Sequence, residues 1–171
     1  MSILEIIKSR RSIRDFTDRE IPGEMIEALI EAVRWAPSAG NLQSRKFYFV
    51  LNRETRKKLA QAAFNQHFIA KAPLVAVACL DRRIAARYGD RGVNLYSIQD
   101  VAASVENMML TAHELGLGSV WVGAFNEYDV AELMELPDNL RPVAIVPVGY
   151  PARTPGAPPR ASKDDVITFI R

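Results

Sequence analysis

Seven consecutive apolar residues, Leu74-Val-Ala-Val-Ala-Cys-Leu80, constrain this chain more than any other feature. The run is far shorter than the ~20 residues needed to cross a bilayer as a helix. It is rich in small and branched side chains, and no polar residue interrupts it. That pattern predicts a strand buried on both faces. Such a strand needs cover on each side. With 171 residues, 49% hydrophobic and 25% charged, the chain has enough apolar surface to provide it within one globular domain.

The covering helices are legible in outline. Ser2-x-x-Glu5 is a possible capping box, and Ile3, Ile6 and Ile7 then recur at helical spacing, predicting a helix to about Arg10. A second helix starts near Pro22, presents Ile26, Leu29, Ile30 and Val33, and stops before Pro37. Phe47 to Leu51 reads as a strand and Arg53 to Ala63 as a helix with a charged outer face. Ser97 to Leu115 is the strongest helix, with a stripe of Ile98, Val101, Ala102, Val105, Met108, Met109, Ala112 and Leu115, closed by Gly116 and Gly118. Ser119 to Val122 and Val143 to Val148 complete the core strands, with a short helix from Glu127 to Glu135 between them.

From Pro151 to Pro159 the chain is proline-rich and extended, and Val166 to Ile170 reads as a terminal strand in search of a surface. A partner subunit would supply one. The expected architecture is α+β, with about four central strands enclosed by helices. Strands and helices do not alternate regularly at the start, which argues against a doubly wound parallel sheet. Residues 1–171 form a single domain, with 150–171 as an extended dimerisation tail.

Several chemistries can be set aside. A net charge of +2 is too small to argue for nucleic acid or an anionic membrane. The single cysteine, Cys79, builds no internal disulfide, and the first residues lack an apolar signal core; both point to the cytoplasm. Gly116-x-Gly118 has Trp121 where a dinucleotide fingerprint needs its third glycine, and it opens a strand rather than a helix. The two histidines, His67 and His113, are far apart and sit in no zinc motif, so no metal site is expected. Cys79 lies inside the apolar run and reads as an inert buried thiol. No Gly-x-Ser-x-Gly elbow is present.

Three segments carry the functional signal. Arg10-Arg11-Ser12-Ile13-Arg14 follows directly on the first helix. Cations near a helix C-terminus account for Arg10 and Arg11 through the macrodipole, but leave Ser12 and Arg14 unexplained. Guanidinium forks and a hydroxyl also suit a phosphate ester. Both readings stand on this segment alone. Ala36-Pro37-Ser38-Ala39-Gly40-Asn41-Leu42-Gln43 joins a helix to a strand and can be ordinary turn chemistry. Gly118-Ser119-Val120-Trp121-Val122-Gly123-Ala124-Phe125 ends a strand in small residues that admit a backbone or a flat ligand.

Taken in order, the three segments resemble the nitroreductase family. Its pattern is a helix followed by Arg-x-Ser-x-Arg/Lys, then Ala-Pro-Ser-x-x-Asn-x-Gln, then a long helix ending in Gly-Leu-Gly-x-x-Trp. The correspondence runs from Ile3 to Val166, to the compact branch of the family. The resemblance implies a mostly antiparallel sheet enclosed by helices, the C-terminal strand laid on the partner, and FMN held at a homodimer interface.

By motif position, Arg10, Arg11 and Ser12 would hold the phosphate and ribityl chain, with Arg14 near the N1–C2 edge of the ring. Pro37, Ser38, Ala39, Asn41 and Gln43 would reach the flavin from the other subunit, and Asn65 and Gln66 from the first. Trp121, Val122, Gly123 and Ala124 would lie against one face, with a backbone N–H available to N5. Arg160 would be the late phosphate-binding arginine.

Two positions depart from the pattern. Gln43-Ser44-Arg45 stands where the family often continues Gln-Pro-Trp, and Pro158 stands where a second basic residue often precedes Arg160. The implied activity is ping-pong transfer of reducing equivalents from NADH or NADPH to a small acceptor such as a nitroaromatic, quinone or enone. The flavin carries the chemistry, and no side chain is expected to act as a conventional catalytic group. The alternative is a flavin-binding protein for storage, sensing or flavin breakdown, with little dehydrogenase activity. Arg82, Arg83, Arg87 and Arg91 occupy the region that covers the flavin in relatives, and read equally as an anion contact or a solvated basic loop.

Overall fold

Residue by residue, the β2 strand sorts its side chains into two separate cores. In this computed structural model, which describes residues 2–171, β2 spans Leu74–Asp81 and is buried along its whole length. Val75, Val77 and Cys79 point to one face, where they meet Leu59, Ile69, Val120 and Ile145. Leu74, Ala76, Ala78 and Leu80 point to the other, against Leu29, Val33, Val101, Val105 and Met108. The period-2 alternation of a strand therefore explains why the run has no polar position. Truncating Leu74 or Leu80 to Ala would cost about 2–5 kcal/mol by the usual cavity penalty.

The sheet has order β1-β2-β4-β3, with β1 Arg45–Val50, β3 Gly118–Ser119 and β4 Leu140–Gly149, and every pairing is antiparallel. One face is covered by α2 (Gly23–Arg34) and α6 (Ser97–Glu114). The other is covered by α3 (Arg53–Ala62), α4 (Phe68–Lys71) and α7 (Glu127–Leu133). The first helix, α1 (Ile3–Ser9), begins on the Ser2–Glu5 capping box and lies by the C-terminal part of α6. The α+β architecture agrees with the sequence reading.

Four local features differ from it. The segment 119–122 is a strand only as far as Ser119, after which Val122 makes one bridge to Ile145. The Ile98 end of the apolar stripe faces outward, and Asp100 and Ser104 are buried in its place. The arginine-rich stretch forms α5 (Ala85–Arg91), kinked at Gly89, and runs through a π-helical turn at Gly92–Tyr96 into α6.

The tail is also changed: Val166 closes a short helix, α8 (Lys163–Val166), instead of opening a strand. Ser162 and Asp165 cap each other there, and this local reward outweighs the β-propensity of an isolated segment. Beyond it, Ile167 is extended but, among the described residues, the tail pairs with no strand. Phe169 and Ile170 are left 81% and 97% exposed.

Candidate functional site

The basic segment divides its two helix-end arginines by role. Arg11 turns back, and its Nη1 donates to the carbonyls of Lys8 and Arg10, each at 2.7 Å. It satisfies the acceptors that α1 leaves open. Arg10 goes the other way: its Nη1 is buried and donates to nothing. A buried guanidinium nitrogen without an acceptor is costly, and an anion would relieve that cost.

After Arg10 the chain is drawn alongside β3. Ser12 bridges Ser119 in parallel, and the Ile13 N–H donates to the Ser119 carbonyl at 3.0 Å. Only glycine allows this approach, since a Cβ on Gly118 would lie 2.6 Å from Cγ1 of Ile13. A cavity of about 150 Å³ results, lined by Ser9, Arg10, Arg11, His113, Gly118 and Ser119 among others. A second, of about 240 Å³, lies between Ser12, Arg14, Asp15, Arg153 and Pro155.

The turn at 64–66 meets the other end of the same strip. Phe64 and Asn65 take φ of 55° and 60°, the left-handed region that Asn tolerates best. The Gln66 Nε2 then donates to Ala63 O at 3.0 Å and Ala124 O at 2.9 Å. Gln66 thereby clamps the turn to the 121–124 segment. Within that segment Val122 is buried and its N–H is committed to Ile145 O at 2.9 Å. Trp121, Gly123 and Ala124 are exposed. Ser12 and Gln66 thus meet the 118–124 segment from its two ends.

The Pro37–Gln43 loop is elsewhere. Its anchor is Asp100 on α6, which accepts from the Ala39 N–H at 2.9 Å and from Ser44 Oγ at 2.6 Å. Gly40, Asn41 and Gln43 all have positive φ, and Ser38 Oγ accepts from the Gln43 N–H at 3.0 Å. The Tyr88 hydroxyl fills the space beside Gly40 that a side chain would take. Burial lowers the pKa of Arg45, and Asp100 opposes that shift.

The helix sets the distance. From Asp100 to His113, α6 rises about 20 Å at 1.5 Å per residue. One protomer therefore holds the loop and the Arg10 cavity at opposite ends of its longest helix. Arg160 joins neither; it is exposed, and its Nη1 donates to Pro159 O at 3.3 Å.

Three residues of this neighbourhood gave little sign in the sequence. Asp100 was visible only as an acidic residue inside an apolar stripe. Arg153 lies in the proline-rich stretch, where nothing marked it. His113 stands on the last turn of α6 with Nε2 2.8 Å from Ser9 Oγ. Its pKa is lowered by burial first, and then by Arg10 and Arg11. Burial pushes the Cys79 thiol up to about 12, which removes it as a nucleophile at neutral pH. Among the described residues, no group of three His, Cys, Asp or Glu could hold a metal, and no helix is long and apolar enough to cross a membrane.

A profile of the nitroreductase family matches residues 7–83 and 62–150, a span that holds the basic segment, the Ser38 loop and the 118–124 strip. The chain belongs to the nitroreductase family. A Methanothermobacter thermautotrophicus protein with the provisional name NADH dehydrogenase/NAD(P)H nitroreductase is 35% identical over 160 residues, covering 91% of this chain and 81% of that one. An FMN reductase (NADPH) of Bacillus subtilis is 30% identical, over 95% of this chain and 71% of its own length. In solved structures, the NADPH:FMN oxidoreductase of Vibrio harveyi complexed with NAD+ superposes with a TM-score of 0.91 at 30% identity. That match covers 99% of this chain and 77% of the other. The family profile stops at residue 150, short of Arg160 and the tail.

Proposed function

We propose that this nitroreductase-family chain is an FMN-dependent NAD(P)H oxidoreductase and that its site is completed by a second copy. The carrying observation is the buried, acceptorless Nη1 of Arg10 beside a cavity with two arginines, two serines and a histidine in its wall. This donor set fits a phosphate monoester. Arg10 and Ser12 hold that phosphate and the adjoining polyol, and Arg11 contributes charge while its Nη1 caps α1. Arg160, exposed on the tail, would reach the same anion in the assembled dimer.

Arg14 is exposed and shares a cavity wall with Arg153, and its charge would stabilise the negative charge that collects on the flavin on reduction. Asn65 contacts the ring or ribityl chain. Gln66 acts by position, because its amide nitrogen already serves two carbonyls. Trp121, Val122, Gly123 and Ala124 form the wall. With the Val122 N–H committed, a donor to the flavin would have to come from another backbone N–H of the segment. When bound, FMN supplies the redox chemistry, accepting a hydride from NADH or NADPH and passing electrons to a small acceptor such as a nitroaromatic, quinone or enone.

The separation along α6 supports the homodimer. Pro37, Ser38, Ala39, Asn41 and Gln43 sit about 20 Å along α6 from the Arg10 cavity, so they serve the other copy's flavin. The exposed Val166, Ile167, Phe169 and Ile170 give each copy an apolar strip to lay on its neighbour.

Purified protein should release FMN, about one per subunit, and bleach on anaerobic addition of NADH or NADPH. Extracted FAD, or no flavin after reconstitution, sinks the cofactor assignment. Bound FMN that neither nucleotide reduces would favour a storage, sensing or flavin-consuming role. Light scattering should give about 38 kDa, twice the 19.1 kDa chain, and deleting 152–171 should weaken the dimer.

A further inference from the structure

We infer that His113 belongs to the phosphate subsite and that FMN binding there is coupled to uptake of one proton on its Nδ1. This rests on the FMN reading above and adds a group that the basic motif does not contain. The geometry assigns the tautomer. Ser9 Oγ has one proton, which it gives to the Glu5 carbonyl at 2.6 Å. Towards His113 Nε2, at 2.8 Å, it can then only accept. Nε2 therefore carries its hydrogen in the neutral ring, and Nδ1 is the atom that gains or loses a proton.

The charges around the ring explain the coupling. Arg10 and Arg11 face it from the segment after α1, and Pro151 and Thr154 from the tail are uncharged. Among the described residues, no carboxylate lines the cavity. Glu5 uses its side chain on the Ser2 N–H at the other end of α1, and Glu114, on the helix itself, is exposed. Burial first, and then the two guanidiniums, lower the pKa of the ring and favour its neutral form, although the C-terminal turn of α6 would otherwise favour a cation. A phosphate dianion reverses the balance. The proton comes from solvent and stays on Nδ1 while the phosphate is bound. Riboflavin, which has no phosphate, lacks the effect.

The phosphate's own second ionisation, near pH 6, works in the opposite direction, since its protonation weakens binding at low pH. The two effects are therefore separable by deleting His113.

The test uses histidine-labelled protein, holoenzyme and flavin-stripped, and the His113→Gln variant. With only two histidines, the variant assigns the His113 resonance directly. The His113 titration should move up by one to two pH units with FMN and stay in place with riboflavin. At pH 6.5 His113→Gln should raise the FMN dissociation constant about tenfold, falling towards parity at pH 8.5, with riboflavin changed less than about twofold. Calorimetry in two buffers should show the wild type taking up more protons than the variant, in which only the phosphate's own proton release remains. If that variant does not fold, His67→Gln makes the assignment and the wild-type titration decides. A His113 titration that is the same with and without FMN overturns the inference while the cofactor assignment stands. Failure of the stripped wild type to bind FMN at all overturns both.

Discussion

Replacing Asp100 with Asn isolates the force that places the Ser38 loop. The Asp100 carboxylate is 4% exposed and receives two donors, the Ala39 N–H at 2.9 Å and Ser44 Oγ at 2.6 Å. Asn keeps the shape but offers one acceptor oxygen, and its NH₂ faces the second donor. One charge-assisted bond is lost and the other is weakened. Each such bond contributes about 1.5–3 kcal/mol, part of which is returned because a buried charge is removed. Arg45, partly desolvated nearby, also loses its electrostatic partner. The net cost should be about 2–3 kcal/mol. For a chain of this size each kcal/mol shifts Tm by about 2–4 °C, so calorimetry should find a drop of about 4–12 °C. Limited proteolysis should also cut near 39–43 faster than in the wild type. A Tm within about 2 °C of wild type, with the loop equally resistant, would mean that Asp100 does not hold the loop.

Gly118→Ala sets a Cβ against Ile13 and should destabilise by about 1–3 kcal/mol while lowering flavin content; normal flavin content and stability would refute the close-approach argument. Arg14→Gln, fully loaded with FMN, should lower the flavin midpoint potential by some tens of millivolts in a spectroelectrochemical titration, and an unchanged potential would make Arg14 a structural cation. Arg141 donates to Glu127 at 2.7 and 2.8 Å, and these bonds hold the Glu127 pKa below its ordinary value. A lowered carboxylate pKa stabilises above the unfolded value, near 4.3, and loses that stabilisation as pH falls through the folded value. Both side chains are about 40% exposed, so the contribution is at most about 1 kcal/mol. The urea-measured gap between wild type and Arg141→Gln should shrink from pH 7 to pH 3, and a pH-independent gap would assign the effect to packing.

What the sequence determined by itself is what short-range physics decides. The unbroken run at 74–80 specified a strand with two buried faces, because no period-2 polar position was left for solvent. Apolar spacing and end signals marked α1, α2, α3 and α6 to within a few residues. The order of the three unusual segments was enough to point to a family. The tertiary structure decided which of two adjacent arginines is free. Arg10 and Arg11 are alike in composition, but α1 ends where Arg11 can reach its open carbonyls, and that leaves Arg10 with a buried, unpartnered Nη1 beside the cavity that Ser119 also lines. It also decided that Asp100, sixty-one positions from Ala39, carries the Ser38 loop, and that His113 looks into the same cavity as Arg10. The tail shows the limit from the other side. Its β-forming residues have no neighbouring strand within the protomer, so the Ser162–Asp165 cap takes Val166 into a helical turn and the apolar residues beyond stay in water. A strand is stabilised by its partner's hydrogen bonds, and those lie outside the reach of any local pattern.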